Sequence, residues 1–184
     1  MSSASKVAVI VLNYKGVKDT LACVASLQNQ TMKDFHIVVV ENGSNDGSVE
    51  KLQSLEANQL TLMCNDKNLG FAGGVNTGIR WVVANNYDYV ALLNNDAVAD
   101  KKWLESLINT QKRHKSGITT SLLLHEDGKT IDSTGDWYST WGLPFPRNRR
   151  DKADSAPKEE FVFGASGGSS LYSVKMLREI GLFD

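Results

Sequence analysis

Cysteine and proline are scarce: two and three in 184 residues. Two thiols far apart, Cys23 and Cys64, cannot make the disulfide framework of a small secreted domain. Both sit in apolar patterns and are expected to be buried thiols in a reducing compartment. All three prolines fall between Pro144 and Pro157, so nothing breaks the elements before them. No apolar run approaches the ~20 residues of a membrane span. The opening "MSSASK" is polar and lacks the apolar core of a secretory signal. Neither sign of charge dominates: the formal net charge is −1, which points away from a nucleic-acid partner. There is no internal repeat. No G-x-G-x-x-G follows the first apolar run, and the G-K-T of Gly128 to Thr130 lacks the upstream glycine of G-x-x-x-x-G-K-[ST], which argues against an adenine-dinucleotide fold and a P-loop; the G-x-S-x-G of Gly164 to Gly168 lies between two short strand patterns rather than opening a helix, so it is no hydrolase elbow. His36, His114 and His125 are scattered, without metal-ligand spacing.

What remains is ordinary globular composition, 41% hydrophobic and 22% charged, in a chain long enough for one sizeable core. Val7 to Leu12 is a continuous β-branched run, as in a strand buried on both faces. Val17, Leu21, Val24 and Leu27 recur at helical spacing and predict a helix to Gln28. Ile37 to Val40 predicts a second strand, and Ser48 a cap for a helix from Val49 to Leu55. Leu60 to Cys64 reads as a third strand, "NDKNLGFAGG" as a loop, and Val75 to Val83 as the face of a helix. Tyr87 to Leu93 predicts a fourth strand, with a helix pattern from Asp100. Alternation of this kind predicts a mostly parallel α/β sheet flanked by helices, up to about residue 115. After that the pattern changes. Ile118 to Leu124 reads as a strand, turning at Asp127-Gly128 to pair with Thr130 to Ser133. "PFPRNRRDKADSAPKEE", with five basic and four acidic residues, reads as a mobile surface loop. Phe161 to Phe163 and Ser170 to Ser173 read as short strands, and Val174 to Ile180 as a helix stopped by Gly181.

Polar residues gather where these strands end: Asn13 to Gly16, Glu41 to Ser48, Asn65 to Asn76, and Asn94 to Asp96. In a parallel sheet such ends converge on one edge, where ligands bind. Taken alone, "NND" is either a turn or a metal-diphosphate site. With the motifs above excluded, a nucleotide held by carboxylates, amides and backbone is what remains. Glu41 could accept the N–H of a pyrimidine ring. Gly70, Gly73 and Gly74 would let backbone approach a ligand. Asp96 is a hard oxygen ligand suited to Mg²⁺ or Mn²⁺.

The same residues resemble the family 2 glycosyltransferases of the GT-A fold, in particular their rhamnosyltransferase-like branch. "VAVIVLNYKG" resembles the opening strand and loop. "VVVENGSNDGS" is similar to V-V-D-N-x-S-x-D-G-S, with Glu41 where Asp is usual. "NLGFAGGVNTGI" is similar to N-x-G-F-A-x-G-x-N-x-G-I, and "YVALLNNDAV" to the D-x-D motif, with Asn94 in the first acidic place and Asp96 in the second. "FGASGGSSLYSVKMLREIGLFD" resembles the segment leading toward the acceptor side.

The resemblance implies a GT-A (Rossmann-like) domain with a donor-binding half, residues 1–115, and a partial acceptor-side half, residues 116–184, with a smaller antiparallel part. It implies that Asn13, Glu41, Asn42, Asn68, Gly70, Asn76, Asn94, Asn95 and Asp96 surround a nucleotide-diphosphate sugar. Glu41 would take the base, and Asp96 a divalent cation, Mn²⁺ or Mg²⁺. The implied reaction is inverting transfer from dTDP-rhamnose or a UDP-hexose to a cell-surface polysaccharide or lipid-linked glycan, in the cytoplasm or at the inner face of a bacterial membrane. In the family the catalytic base follows the position of Asp184, so little transfer is expected from this stretch alone, and self-association through uncovered apolar surface is expected. If the base lies within the chain, Asp132, Asp136 and Asp184 are the first candidates. The alternative reading is a nucleotide-sugar-binding module without turnover.

Overall fold

The structure is a computed structural model describing residues 5–55 and 59–184. The first four residues of the polar opening lie outside the described residues. Four strands, β1 (Val7–Asn13), β2 (His36–Glu41), β3 (Leu60–Cys64) and β4 (Tyr89–Asn94), alternate with α1 (Val17–Gln28), α2 (Ser48–Gln53), α3 (Gly70–Ala84) and α4 (Trp103–His114). They are mutually parallel. Two more strands extend the sheet: β5 (Ile118–Thr120) and a later strand, Ser169–Ser173, which runs antiparallel to β4 and to β5. Between them lie two small hairpins. In one, β6 (Leu123–Leu124) pairs with β7 (Ile131–Ser133), and in the other β8 (Asp136–Tyr138) pairs with β9 (Pro144–Pro146). Ser169–Ser173 is therefore β10, and α5 (Val174–Ile180) follows it. The six-stranded order is β3-β2-β1-β4-β10-β5. The expected class, a mostly parallel α/β sheet with a smaller antiparallel part, is what forms.

Continuous apolar runs form the central strands because both faces are covered. Val7, Val9 and Val11 face Val24 and Leu27 of α1 and Leu104 and Leu107 of α4. Ala8 and Ile10 face Val75, Ile79 and Val82 of α3, with Val174 and Leu177 of α5 beside them. The chain steps outward from β1 to β3, then returns across β1 to β4. The order reverses between β1 and β4, and the crevice at such a reversal opens at the carboxyl ends of the strands.

Several expectations give way. "GFAGG" is helical, since α3 begins at Gly70. A Cβ on Gly74 would lie 2.6 Å from Leu12 Cδ1, and one on Gly78 2.9 Å from Ile10 Cδ1. These glycines seat α3 against β1; Gly74 does not open backbone to a ligand. Ser48 does not cap α2. Gly47, at φ 81°, precedes the helix, and Asp46 accepts the Ser48 N–H at 3.0 Å. The stretch expected as one strand from Ile118 is split between two sheets, because Ser121 N–H turns to Ser169 O. Residues 144–160, expected as a loop, carry β9 and a 3-10 turn, Ala153–Ser155. Arg147 in that stretch is buried and paired with Glu160. Phe161–Phe163 is not a strand. Cys64 is exposed, not buried, because β3 is the edge strand on that side.

Candidate functional site

The register fixes which strand ends meet. Asn13 lies beside Glu41, and Leu12 beside Asn94. At ~4.8 Å between neighbouring strands, Glu41 and Asn94 are about 10 Å apart across β1. Three polar clusters follow from this layout.

The first centres on Glu41, which is 2% exposed. Its carboxylate accepts the N–H of Gly43 at 3.0 Å and of Ser44 at 2.9 Å, and the Asn13 amide approaches at 3.5 Å. Asn13 is itself buried, and its amide oxygen accepts the Thr20 hydroxyl at 2.8 Å. Glu41 therefore clasps the turn that follows β2. That turn needs a glycine: Gly43 has φ 72°, and a Cβ there would lie 2.4 Å from the Lys67 carbonyl carbon. A cavity of about 490 Å³ opens beside the carboxylate, lined also by Asp46, Val49, Cys64 and Asp66. The Asp46 carboxyl is held below its ordinary range, chiefly by the Ser48 hydroxyl.

The second cluster is a web of amides. Asn42 donates to Asn68 Oδ1 at 3.0 Å and to Gly70 O at 3.2 Å. Its own Oδ1 accepts from Asn65 Nδ2 at 3.0 Å and Leu69 N at 3.2 Å. Asn68 also accepts the Gly70 N–H at 2.8 Å. Gly70 has φ 71° and open space where a Cβ would stand.

The third cluster is the Asn94–Asp96 turn. Asn95 reaches Thr20 Oγ1 at 3.2 Å and Gly16 O at 3.4 Å. The Asn94 N–H donates to Gly168 O at 2.8 Å, and its own carbonyl accepts the Cys23 thiol at 3.5 Å. Asp96 is exposed and has no ion pair among the described residues. Burial, with the Asp96 charge adding to it, pushes the Cys23 thiol up to about 12. So little of that thiol is ionised near neutral pH that Cys23 should resist iodoacetamide at pH 8 while the chain is folded, and react once it is denatured. Rapid labelling of Cys23 itself in the native chain, told apart from the exposed Cys64 by peptide mass spectrometry, would contradict that burial.

Asn76 is not free to face these clusters. Its amide donates to Phe183 O at 2.6 Å and accepts the Phe183 N–H at 3.2 Å, tying the segment after α5 to α3. The expected base stand-ins are also dispersed. Asp132 contacts Arg149 at 3.3 Å and His125 at 3.7 Å. Asp136 exchanges backbone bonds with Gly164, and burial raises its carboxyl. A larger groove, about 720 Å³, lies between α4 and residues 157–162, and none of the sequence-picked site residues lines it. Sequence reading missed Thr20, Ser44, Asn65 and Gly168. Ser44 and Asn65 stand within the polar strand-end runs, while Thr20 and Gly168 carry no local signal.

Among the described residues no three His, Cys, Asp or Glu side chains form a ready-made metal cage. That suits a cation shared with a ligand: Mg²⁺-type sites use one or two carboxylates and take their remaining oxygens from phosphate and water. Asp96, exposed at the crevice, fits as that single carboxylate.

Comparison with known proteins places this geometry. The model of "Glycosyl transferase family 2" matches residues 7–181. An uncharacterized glycosyltransferase of Haemophilus influenzae is 26% identical over 154 residues, 80% of this chain and 47% of that protein. A cholesterol galactosyltransferase of Borreliella burgdorferi is 29% identical over 118 residues, 63% of this chain and 32% of that protein. Among solved structures, the mannosyltransferase PcManGT from Pyrobaculum calidifontis, in complex with GDP-Man and Mn²⁺, superposes with a TM-score of 0.69 at 16% identity. It covers all of this chain, which spans 48% of that one. S. aureus TarS 1-349 in complex with UDP-GlcNAc gives 0.66 at 17% identity, over 95% of this chain and 47% of that one. This chain thus spans about half the length of these structures, or less of some relatives. The sheet, its reversal at β1/β4 and the match over nearly every described residue lead to one conclusion: the chain belongs to glycosyl transferase family 2 and has the GT-A fold.

Proposed function

We propose that the chain binds a nucleotide-diphosphate sugar across the ends of β2, β1 and β4 and serves inverting transfer of that sugar to an acceptor hydroxyl. The observation that carries this reading is the layout of the crevice. A buried carboxylate beside a 490 Å³ cavity stands two strands from an exposed carboxylate at the fold's switch point. A carboxylate offers roughly four acceptor positions. Gly43, Ser44 and Asn13 approach three, leaving one for an N–H on the base. Asp96 would hold Mn²⁺ or Mg²⁺ against the diphosphate. When bound, such a cation stabilises the charge that develops on the leaving group. Asn94 and Asn95 hold the backbone that carries Asp96 through Gly168, Gly16 and Thr20, so the turn is set before a ligand arrives. Asn68 and Gly70 would border the nucleotide and sugar. Asn76 acts behind them, on Phe183.

In this reading residues 1–115 are the donor half and 116–184 the acceptor-side part. dTDP-rhamnose or a UDP-hexose is the donor, the acceptor is a lipid-linked glycan or a polysaccharide destined for the cell surface, and transfer takes place in the cytoplasm or at the inner face of a bacterial membrane. Neighbouring structures hold GDP-Man and UDP-GlcNAc, so the base is tested directly. Calorimetry with UDP, dTDP and GDP, with and without Mn²⁺, should show metal-dependent binding of a pyrimidine nucleotide. Failure of all three to bind would sink the reading. Incubation with a nucleotide-sugar panel then separates a transferase, which releases nucleoside diphosphate, from a module that only binds.

A further inference from the structure

Three strand ends border the path of the proposed donor, with their loops: residues 13–16 after β1, 41–47 after β2 and 94–99 after β4. The charged side chains in these stretches are Lys15, Glu41, Asp46 and Asp96. Three carboxylates and one ammonium leave this edge acidic, while the ligand carries a diphosphate. One cation on Asp96 offsets only part of that repulsion, because Asn94 beside it adds no charge. The edge therefore needs a positive side chain near the diphosphate, and Lys15 is the basic residue its loops contain.

Its place is fixed. Asn13 lies beside Glu41 and Leu12 beside Asn94, so the loop after β1 stands between the buried carboxylate and the Asp96 turn. Hydrogen bonds tie it to both sides. The Lys15 N–H donates to Ser44 Oγ at 2.9 Å, in the turn that Glu41 clasps, and Asn95 Nδ2 donates to Gly16 O at 3.4 Å. A Cβ on Gly16 would lie 2.6 Å from that same Nδ2. The Lys15 backbone has φ 54°, in the left-handed region where Gly or Asn stands with least strain. Strain of this kind persists where the surroundings over-determine the backbone, and it clusters at ligand sites. The Lys15 side chain is exposed, with its ammonium 5.3 Å from the centre of the exposed Tyr14 ring, and it makes no ion pair among the described residues. Its flexible four-carbon stem lets the ammonium leave the ring for a phosphate. Lys67 is placed differently. It follows β3, on the far side of β2 from β1, and its backbone packs against Gly43.

We propose that Lys15 binds the donor's diphosphate, between Glu41 at the base and Asp96 at the cation. The proposal rests on the donor reading and adds to it a hold on the phosphates that needs no metal. A bound cation and Lys15 neutralise the same charge, so Lys15 matters more when the metal is gone. Asp96 is its opposite, since its contribution needs the metal.

The test is calorimetry of the 184-residue chain at low salt with UDP, dTDP and GDP, in Mn²⁺ and in EDTA. Lys15→Asn removes the charge and suits the left-handed backbone, so its denaturation midpoint should not fall. Its affinity for the diphosphate that wild type binds best should fall at least about fivefold in EDTA, the upper end for one exposed ion pair, and less in Mn²⁺. The loss should shrink as salt is raised, and Lys15→Arg should keep most of the affinity. Lys112→Gln removes the same charge from an exposed position in the last turn of α4, and should bind like wild type. A wild-type chain that binds a diphosphate, with Lys15→Asn binding it equally well in EDTA, overturns this proposal and leaves the donor reading standing. So does an equal loss in Lys112→Gln, which would make the effect one of net charge. A wild-type chain that binds none of the three removes the donor reading and Lys15 with it.

Discussion

Asp96→Ala is expected to weaken nucleoside diphosphate binding about 10- to 150-fold in Mn²⁺, the size of one lost charge-assisted contact, and to change it little in EDTA. The asymmetry is the informative part. Asp96 is exposed and has no ion pair among the described residues, so its removal strands no buried partner and should leave the fold intact. Its one marked effect on a neighbour, the Cys23 thiol, falls away with the charge and favours no unfolding. Calorimetry that finds equal losses with and without metal would remove Asp96 from cation binding. Asp96→Asn should behave like the alanine variant, because the charge and not the shape is what a hard cation needs.

Glu41→Ala is expected to weaken the same ligand by a similar ~10- to 150-fold factor, but equally in Mn²⁺ and EDTA. It should also lower stability by about 1.5–3 kcal/mol for each backbone N–H left without its carboxylate and without water. Glu41 holds Gly43 and Ser44 from a position 2% exposed, so under the proposed donor site ligand and fold would draw on one side chain. Glu41→Gln separates the two roles. It keeps the volume and one acceptor oxygen, yet turns an N–H donor toward a backbone N–H. Denaturant midpoints and calorimetry on the same samples give both readings. A midpoint unchanged in Glu41→Ala would mean that water replaces the carboxylate in the turn.

The parallel half of the fold was legible because its signal is local. Val7 to Leu12 and Ile37 to Val40 are apolar without interruption, and only a strand covered on both faces uses such a run. The start of α3 was not legible. Glycines signal turns, and Gly74 and Gly78 are glycine because Leu12 and Ile10 of β1 press on them. The β8–β9 hairpin was lost for a related reason. Its strands are three residues each, and they are fixed by Arg147 on Glu160 and Asp136 on Gly164, contacts that no periodicity encodes. At the crevice, the strand-end rule located Asn13, Glu41 and Asn94, but it could not say where their side chains turn. Asn76 shows the limit most clearly: its partner, Phe183, is 107 residues away.

The Asn42 amide has a consequence for how damage spreads. Both of its N–H donors and both acceptor lone pairs are committed, to Asn68, Gly70, Asn65 and Leu69. These bonds tie the ends of β2 and β3 to the first turn of α3, so the three elements share a single fastening. Energies in such a fastening are not separable. Once Asn42→Ala has released it, Asn65→Ala or Asn68→Ala has little left to break, and the double variants should lose less than the sum of the single ones. Read through the nucleotide, the three amides would then behave as one residue.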